Sequence, residues 1–192
     1  MSKATKTRAA RGYVIADPKQ IAALTSSTRQ SILDLIVSAG PLTVSEIAER
    51  VNRRADSIYY HLKTLVKVGL LRESFDAEVR GRSIATYDVP GRPLRLQYDL
   101  SSRGSTRALN RVTQSMLRGA YRNFARHSVG GRAAVDGPER ELWARRGRAM
   151  LSRKELREVN RLLSRLISLM NPHETYEDAT MFDITFVLSP GE

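Results

Sequence analysis

Residues 20–90 contain three short stretches of helical periodicity, followed by two segments typical of β-strands. In the first stretch, apolar residues recur at spacings of three and four between Ile21 and Ile36, which places them on one face of helical structure. Gly40-Pro41 ends this stretch, because proline lacks an amide proton and disfavours a helical conformation in the residue before it. We therefore expect helical structure up to about Ala39.

Two more helices are predicted directly after this stop. Thr43 and Glu46 have the spacing of a capping box, in which a hydroxyl and a carboxylate bind free amides at a helix start, so a short helix is expected through Val51. A third helix is expected over residues 56–68, and Gly69 suits its C-terminal end. Its apolar face contains Ile58, Leu62, Leu65 and Val66. Its opposite face carries Asp56, Tyr60, Lys63, Thr64 and Lys67, with Ser57 beside it and Tyr59 at its edge.

Residues 70–75 and 83–89 are predicted to form two strands. The connector contains Arg80-Gly81-Arg82, in which glycine permits a tight turn and the two guanidinium groups project outward. Two helices joined by a short turn and followed by a basic hairpin describe a winged helix-turn-helix. In such a fold a helix about 10 to 12 Å across fits the major groove of a duplex, and the hairpin reaches the neighbouring backbone or minor groove.

Several local motifs in residues 20–90 belong to one family pattern. They are Thr28-Arg29 ahead of Ile32-Leu33, Glu46-Ile47-Ala48, Tyr60-His61-Leu62-Lys63-Thr64-Leu65, Gly69-Leu70, and Gly81-Arg82 before the final strand. Together they resemble the DNA-binding domain of ArsR-type transcriptional regulators, and the resemblance implies DNA binding and control of transcription. The metal-sensing members of that family use cysteines, and this chain has none, so metal sensing through thiolates is excluded.

Charge is unevenly distributed along the chain. The formal net charge of +12 favours a polyanionic partner such as nucleic acid or an anionic membrane surface. Residues 103–165 carry sixteen bases and five acids, whereas residues 166–192 carry five acids and no base. No apolar window is long enough to span a bilayer, and the first residues lack the apolar core of a signal peptide. We therefore expect double-stranded DNA as the partner, no membrane partner, and a cytoplasmic location.

The predicted fold class is α+β and mainly helical, with an N-terminal winged helix-turn-helix followed by a long helix and a small β-α-β C-terminal region. Four segments are expected: a flexible basic tail (1–16), the winged helix-turn-helix DNA-binding domain (17–90), a linker (91–104), and a region for dimerisation (105–192), in which an effector site is left open. Within the last segment we predict a helix over residues 105–127, a strand over 142–151, a helix from the capping box of Ser152 and Glu155 to about Met170, and a strand over 181–188.

The predicted helix 105–127 has two distinct sides. Winged-helix repressors need two copies to read two half-sites, so its apolar side is predicted to be a homodimer interface, with packing on its own domain as the alternative. The residues of this apolar side are Leu109, Val112, Met116, Leu117, Ala120 and Phe124. The other side carries Arg103, Arg107, Arg111, Arg118, Arg122 and Arg126, which either follow DNA phosphates or form a solvated face; a solvated face is the commoner case.

Nothing in the sequence points to catalysis. The three histidines, His61, His127 and His173, are far apart and lie in no nucleophile or phosphate-loop motif. The acidic residues near His173 match no standard metal-site spacing. We therefore expect no catalytic residue, no metal site, no cofactor and no enzymatic activity. No residue pattern supports a small-molecule effector, and the sequence leaves open whether one exists.

The sequence thus predicts a dimeric, sequence-specific DNA-binding transcriptional regulator. The residues predicted to contact base edges are Ser57, Tyr59, Tyr60 and Lys63. Those predicted to contact phosphates are Lys67, Arg53 and Arg54, with Arg80 and Arg82 in the wing. Two alternatives remain: an architectural, chromatin-like protein that uses the same fold without strong specificity, and a winged-helix protein-interaction module.

Overall fold

The computed structural model describes residues 12–79, 82–129, 131, 133–170 and 180–191, with the backbone alone for 76–79 and 82. The elements within this part of the chain are β1 (Tyr13–Ile15), α1 (Pro18–Ala23), α2 (Ser27–Ala39), β2 (Leu42–Thr43), α3 (Val44–Arg50), α4 (Ala55–Lys67), β3 (Arg72–Val79), β4 (Arg82–Asp88), β5 (Leu94–Leu96), α5 (Arg103–Val129) and α6 (Arg153–Leu169). The chain divides into two compact units, Met1–Thr113 and Gln114–Glu192, and the division falls within α5.

The first unit contains a helical core and a small sheet. Strands β2, β4 and β3 lie in that order in an antiparallel sheet, and β3 and β4 form the hairpin. The core is contributed by apolar faces of α2, α3 and α4 together with the residues that follow α4. Its fully buried side chains include Ile32, Ile36, Ile47, Ile58, Leu62, Leu65 and Leu70. Each such side chain contributes about 1.5 to 3 kcal/mol on burial. The first unit is therefore the winged helix-turn-helix that the sequence predicts.

The capping box predicted at the start of α3 and the glycine predicted at the end of α4 are both confirmed. At the start of α3, the Glu46 carboxylate accepts a hydrogen bond from the Thr43 amide at 2.8 Å, and the Thr43 hydroxyl accepts one from the Glu46 amide at 3.3 Å. At the end of α4, Gly69 has a φ of 74°, a left-handed conformation that favours glycine. The amide of Leu70 then donates to the Leu65 carbonyl at 2.9 Å, which satisfies an otherwise free carbonyl of the last turn.

The structure contains a short strand in each of the two segments predicted to be the tail and the linker. Residues 13–15 of the predicted tail form β1, which pairs in parallel with β5, and β5 lies within the predicted linker. Gln20 supports this pair from α1, since its side-chain amide donates to the Tyr13 hydroxyl at 2.7 Å and to the Val68 carbonyl at 2.9 Å. Arg92, also in the predicted linker, binds the Asp88 carboxylate and donates to the Val37 carbonyl at 2.9 Å. Residues 1–11 of the predicted tail lie outside the described residues.

The second unit contains the C-terminal part of α5, a loop, α6 and two irregular segments. The capping box predicted at the start of α6 is present: Glu155 accepts from the Ser152 amide at 2.8 Å, and the Ser152 hydroxyl accepts from the Glu155 amide at 3.3 Å. The side chain of Asn123 on α5 donates to the Asp183 carboxylate. These contacts belong to the second unit alone.

The prediction of a strand on each side of α6 is wrong. Residues 142–151 and 181–188 form no strand in the described structure, and most of their apolar side chains are exposed, including Trp143, Phe182 and Val187. A strand is held by hydrogen bonds to a neighbouring strand, and neither segment pairs with a strand among the described residues. The alternating apolar residues of 181–188 therefore form no strand in the described structure, and the predicted β-α-β region consists of α6 between irregular segments.

Candidate nucleic-acid interface

Helix α4 is fixed to the first unit by one face. Its Ile58, Leu62 and Leu65 side chains are fully buried, as the sequence predicts. Because these three anchors span about two turns, the helix has little freedom to rotate about its axis. The orientation of its opposite face is therefore set by the core.

The predicted base-contacting residues all lie on exposed surface of α4. Tyr60 is 69% exposed and Tyr59 is 44% exposed, and Ser57 and Lys63 are also in the exposed class. The Lys63 ammonium lies 4.8 Å from the centre of the Tyr59 ring, a cation–π contact that holds both side chains on the same surface. A lysine beside two tyrosines offers hydrogen-bond donors and flat apolar rings, which suit base edges and thymine methyl groups.

The predicted phosphate contacts lie at both ends of α4. Arg53 and Arg54 are exposed just before its first turn, and Lys67 is exposed in its last turn. Arg54 approaches the Asp56 carboxylate at 4.0 Å with both side chains almost fully exposed, a surface ion pair of little strength. Arg50, exposed at the end of α3, belongs with this basic group. Arg50 is not among the residues predicted from the sequence, although it stands three residues before Arg53.

The hairpin of β3 and β4 is held together at its base. The Tyr87 hydroxyl donates to the Glu73 carboxylate at 2.6 Å, and the hydroxyls of Ser74 and Thr86 lie 2.9 Å apart across the two strands. Burial, and then the hydrogen bond and charge of Glu73, raise the pKa of Tyr87 well above its ordinary value. The described part of the hairpin is therefore held together at its base. Arg80 and the side chain of Arg82 lie outside the described residues.

His61 lies between the buried and exposed faces of α4. It is half-buried, its ring meets that of Tyr60 edge-on at 5.7 Å, and its buried Nδ1 atom has no hydrogen-bond partner among the described residues. Burial, and then the charges of Arg29 and Arg53, lower the pKa of His61 below its ordinary value. His61 therefore packs against the domain as a neutral ring.

Acidification is expected to destabilise the first unit through His61. Because the pKa of His61 is lower in the folded chain than in the unfolded chain, the unfolded chain binds more protons as pH falls below about 6.5. The free energy of unfolding should therefore fall as the pH is lowered through about 6.5, and His61→Gln should remove part of that fall. Chemical unfolding at several pH values measures it. His127→Gln, at an exposed histidine on α5, is the control, and an equal pH dependence in both variants would contradict the assignment.

The residues predicted to form the dimer interface differ in their exposure to solvent. Val112 is only 7% exposed and belongs to the core of the first unit, and the carbonyl of Val112 accepts a hydrogen bond from Gln30 at 3.1 Å. The assignment of Val112 to a dimer interface is therefore wrong, because its side chain is already used within its own domain. Leu117 and Phe124 are exposed, whereas Leu109, Met116 and Ala120 are half-buried.

The described residues form no metal site and no helix suited to a membrane. Among the described residues, no group of three histidine or acidic side chains is placed to hold a metal ion. None of the described helices has both the length and the apolarity that crossing a bilayer requires. The surface of α4, with the basic residues around it, is thus the site that the described structure supports best.

Comparison with known proteins agrees on the helical part of this domain. A family described as a helix-turn-helix domain matches residues 24–74, which run from the end of α1 into β3. Comparison with curated proteins finds no match.

Three solved structures are examples of distant likeness. YusO from Bacillus subtilis is 14% identical, with 79% of this chain and 83% of that chain covered and a TM-score of 0.32. Wild-type ZitR from Lactococcus lactis in complex with DNA is 13% identical, with 74% and 73% covered and a TM-score of 0.29. The adhesin competence repressor AdcR from Streptococcus pyogenes is 16% identical, with 76% and 81% covered and a TM-score of 0.30. Because these identities and TM-scores are low, the function is inferred from the chain's own residues. Residues 24–74 match a helix-turn-helix domain family, and these helices together with the hairpin of β3 and β4 give the first unit a winged helix-turn-helix fold.

Proposed function

We propose that this protein is a sequence-specific DNA-binding transcriptional regulator that acts as a dimer. Helix α4 enters the major groove, and the hairpin of β3 and β4 contacts the flanking backbone or minor groove. The observation that carries the proposal is the division of α4 into a fully buried apolar face and an exposed face with two tyrosines and a lysine. A cytoplasmic location and membership of the ArsR-type subgroup belong to the same proposal, the latter on the motifs around Tyr60-His61-Leu62 and Gly69-Leu70.

The charge of the site supports DNA over a protein partner. Arg50, Arg53 and Arg54 precede α4 and Lys67 ends it, all of them exposed. Cations at the two ends of a recognition helix suit the two phosphate backbones that border a groove, where they fix orientation while the middle of the helix reads bases. A protein-interaction surface is typically poor in lysine at its centre, whereas Lys63 lies in the middle of the exposed face of α4.

Dimerisation is proposed from Leu117 and Phe124, which are the exposed apolar residues of the predicted interface on α5. Leu117 and Phe124 lie seven residues apart and therefore on the same side of the helix, with Ala120 between them. A second copy of the chain is the partner that would bring a second recognition helix to an adjacent half-site.

Measuring duplex affinity at one fixed salt concentration tests this function. The protein should bind a selected target duplex about 1,000-fold or more tightly than a random duplex of equal length. A ratio near one would favour the architectural alternative. Failure to bind any duplex would favour the protein-interaction module.

The wing is expected to contribute phosphate contacts. Arg80→Ala with Arg82→Ala should weaken binding to all duplexes and reduce the slope of log affinity against log salt by about one to two. Both residues flank Gly81 at the predicted hairpin tip. Titrations over a range of salt concentrations measure the slope, and thermal unfolding checks that the fold is kept. An unchanged slope would remove the wing from the interface.

A further inference from the structure

Lys63 and Tyr59 form a pair on the exposed side of α4. The two residues are four positions apart, a spacing that makes side chains neighbours on one side of a helix. The Lys63 ammonium lies 4.8 Å from the centre of the Tyr59 ring. Among the described residues, no carboxylate forms an ion pair with Lys63. The ring therefore holds the ammonium while leaving its N–H donors available to a ligand.

The Tyr59 ring is itself placed differently from that of Tyr60. Tyr59 is 44% exposed, whereas Tyr60 is 69% exposed. Tyr59 also lies near the base of the hairpin, because the pKa of Tyr87 is raised by burial, by the hydrogen bond and charge of Glu73 and, least of all, by Tyr59. A partly buried ring with one neighbour in the hairpin and another on α4 is well placed to support Lys63, whereas Tyr60 extends further into solvent.

Holding the ammonium in one place matters for base recognition. A lysine side chain has a long flexible stem, and a freely moving ammonium serves any nearby phosphate as a point charge. Base recognition needs a donor at a defined position, and a contact that restricts the side chain before binding lowers the entropy lost on binding. Lys63 lies in the middle of the exposed face, between Arg54 and Lys67 at the two ends of the helix. Its position therefore suits a base rather than the phosphates beside the groove.

We propose that Tyr59 and Lys63 act as one reading unit, in which Tyr59 positions the Lys63 ammonium and the ammonium donates to O6 and N7 of a guanine in each half-site. This inference rests on the proposed function, and it gives Tyr59, predicted from the sequence to contact a base edge, a positioning role instead. An ammonium donates hydrogen bonds and accepts none. In the major groove guanine presents two acceptors, whereas adenine and cytosine present an amino group and thymine presents one acceptor beside a methyl group. Guanine is therefore the base that Lys63 matches best.

The test begins with selection from a random duplex pool by full-length wild-type protein and by Lys63→Ala. The position at which Lys63→Ala loses the guanine preference is then changed to adenine or to 7-deazaguanine, which lacks the N7 acceptor. Affinity for each duplex is measured for wild-type protein, the two single variants Lys63→Ala and Tyr59→Leu, and the double variant. Tyr59→Phe keeps the ring and is the matched control. Tyr59→Met, a second variant without a ring, replaces Tyr59→Leu if that variant has a lowered Tm.

A set of linked changes in base preference is expected. Wild-type protein should prefer guanine over adenine at the identified position by about tenfold or more, and Lys63→Ala should lose that preference. Tyr59→Leu should lower the preference by about threefold to tenfold, because the cation–π contact is lost, while Tyr59→Phe keeps it. In protein that already carries Lys63→Ala, Tyr59→Leu should change the preference no further. 7-Deazaguanine should weaken binding by wild-type protein and leave binding by Lys63→Ala nearly unchanged.

Each contrary outcome overturns a defined part of the inference. If Lys63→Ala reduces the slope of log affinity against log salt but alters no base preference, Lys63 contacts a phosphate and the inference is wrong, while the proposed function stands. Loss of preference for a base other than guanine would also overturn it. An equal effect of Tyr59→Leu with and without Lys63, or an equal loss in Tyr59→Phe, would show that the ring does not act through Lys63. If wild-type protein selects no sequence, the proposed function fails and this inference fails with it.

Discussion

Replacing both Tyr60 and Lys63 by alanine is expected to lower affinity for the target duplex by about 30-fold or more, while affinity for random duplex changes much less. Each side chain that reads a base edge contributes about 1 to 3 kcal/mol of discrimination, so two lost contacts remove at least about 2 kcal/mol. Both side chains are exposed on α4, away from the buried Leu62 and Leu65. The substitutions should therefore leave stability nearly unchanged. Competition titrations with target and random duplexes measure the ratio.

A matched control exists in the same unit. Tyr98→Ala with Lys19→Ala removes one exposed tyrosine and one exposed lysine outside the proposed interface. This control should retain the specificity of the wild-type protein. Equal behaviour of the two double variants would show that α4 does not read bases. A large drop in Tm for the Tyr60 and Lys63 variant would indicate instead that the exposed face supports the fold.

Introducing charge at Leu117 and Phe124 is expected to convert the protein from a dimer to a monomer. Two aspartates on this side of α5 place unpaired carboxylates where the proposed interface excludes water, a severe cost. The monomer should bind a duplex with two half-sites about 100-fold or more weakly, because the second half-site is no longer bound within one complex. Light scattering measures the mass, and titration with one-site and two-site duplexes measures the affinity.

Leu100→Asp places one aspartate at an exposed leucine outside α5 and serves as the control. It should remain dimeric. Substitution is preferable to truncation before α5, because truncation would remove Val112 from the core of the first unit. A wild-type protein that is monomeric would refute the dimer, and a double aspartate variant that stays dimeric would move the interface to another surface.

Local signals in the sequence were sufficient for the helices of the first unit. The capping box of Thr43 and Glu46, the stop at Gly40-Pro41 and the left-handed Gly69 each act within a few residues. The buried face of α4 followed from the spacing of its apolar residues, because helix geometry alone determines which side chains share a face. The exposed residues of the candidate site followed from the same spacing.

Distant pairing was not predictable in the same way. Strand β1 pairs Tyr13 with Leu94, and the intervening 80 residues carry no local sign of that contact. Both strands have only three residues, and β1 lies in a segment whose basic charge is typical of a mobile tail. Val112 was assigned to the wrong surface because periodicity identifies an apolar side of a helix without identifying what covers it. Residues 181–188 show the same limit. Their apolar residues alternate as in a strand, but the described structure contains no neighbouring strand with which they pair.

Selection of bound sequences from a random duplex pool tests the central claim most directly. A dimer with one α4 helix in each of two adjacent major grooves should enrich a palindrome whose half-sites are centred about 10 base pairs apart, or a multiple of that spacing. The same selection with the Tyr60 and Lys63 variant should lose that palindrome. Absence of any enriched sequence from the wild-type selection, with duplex binding retained, would contradict sequence-specific recognition by α4.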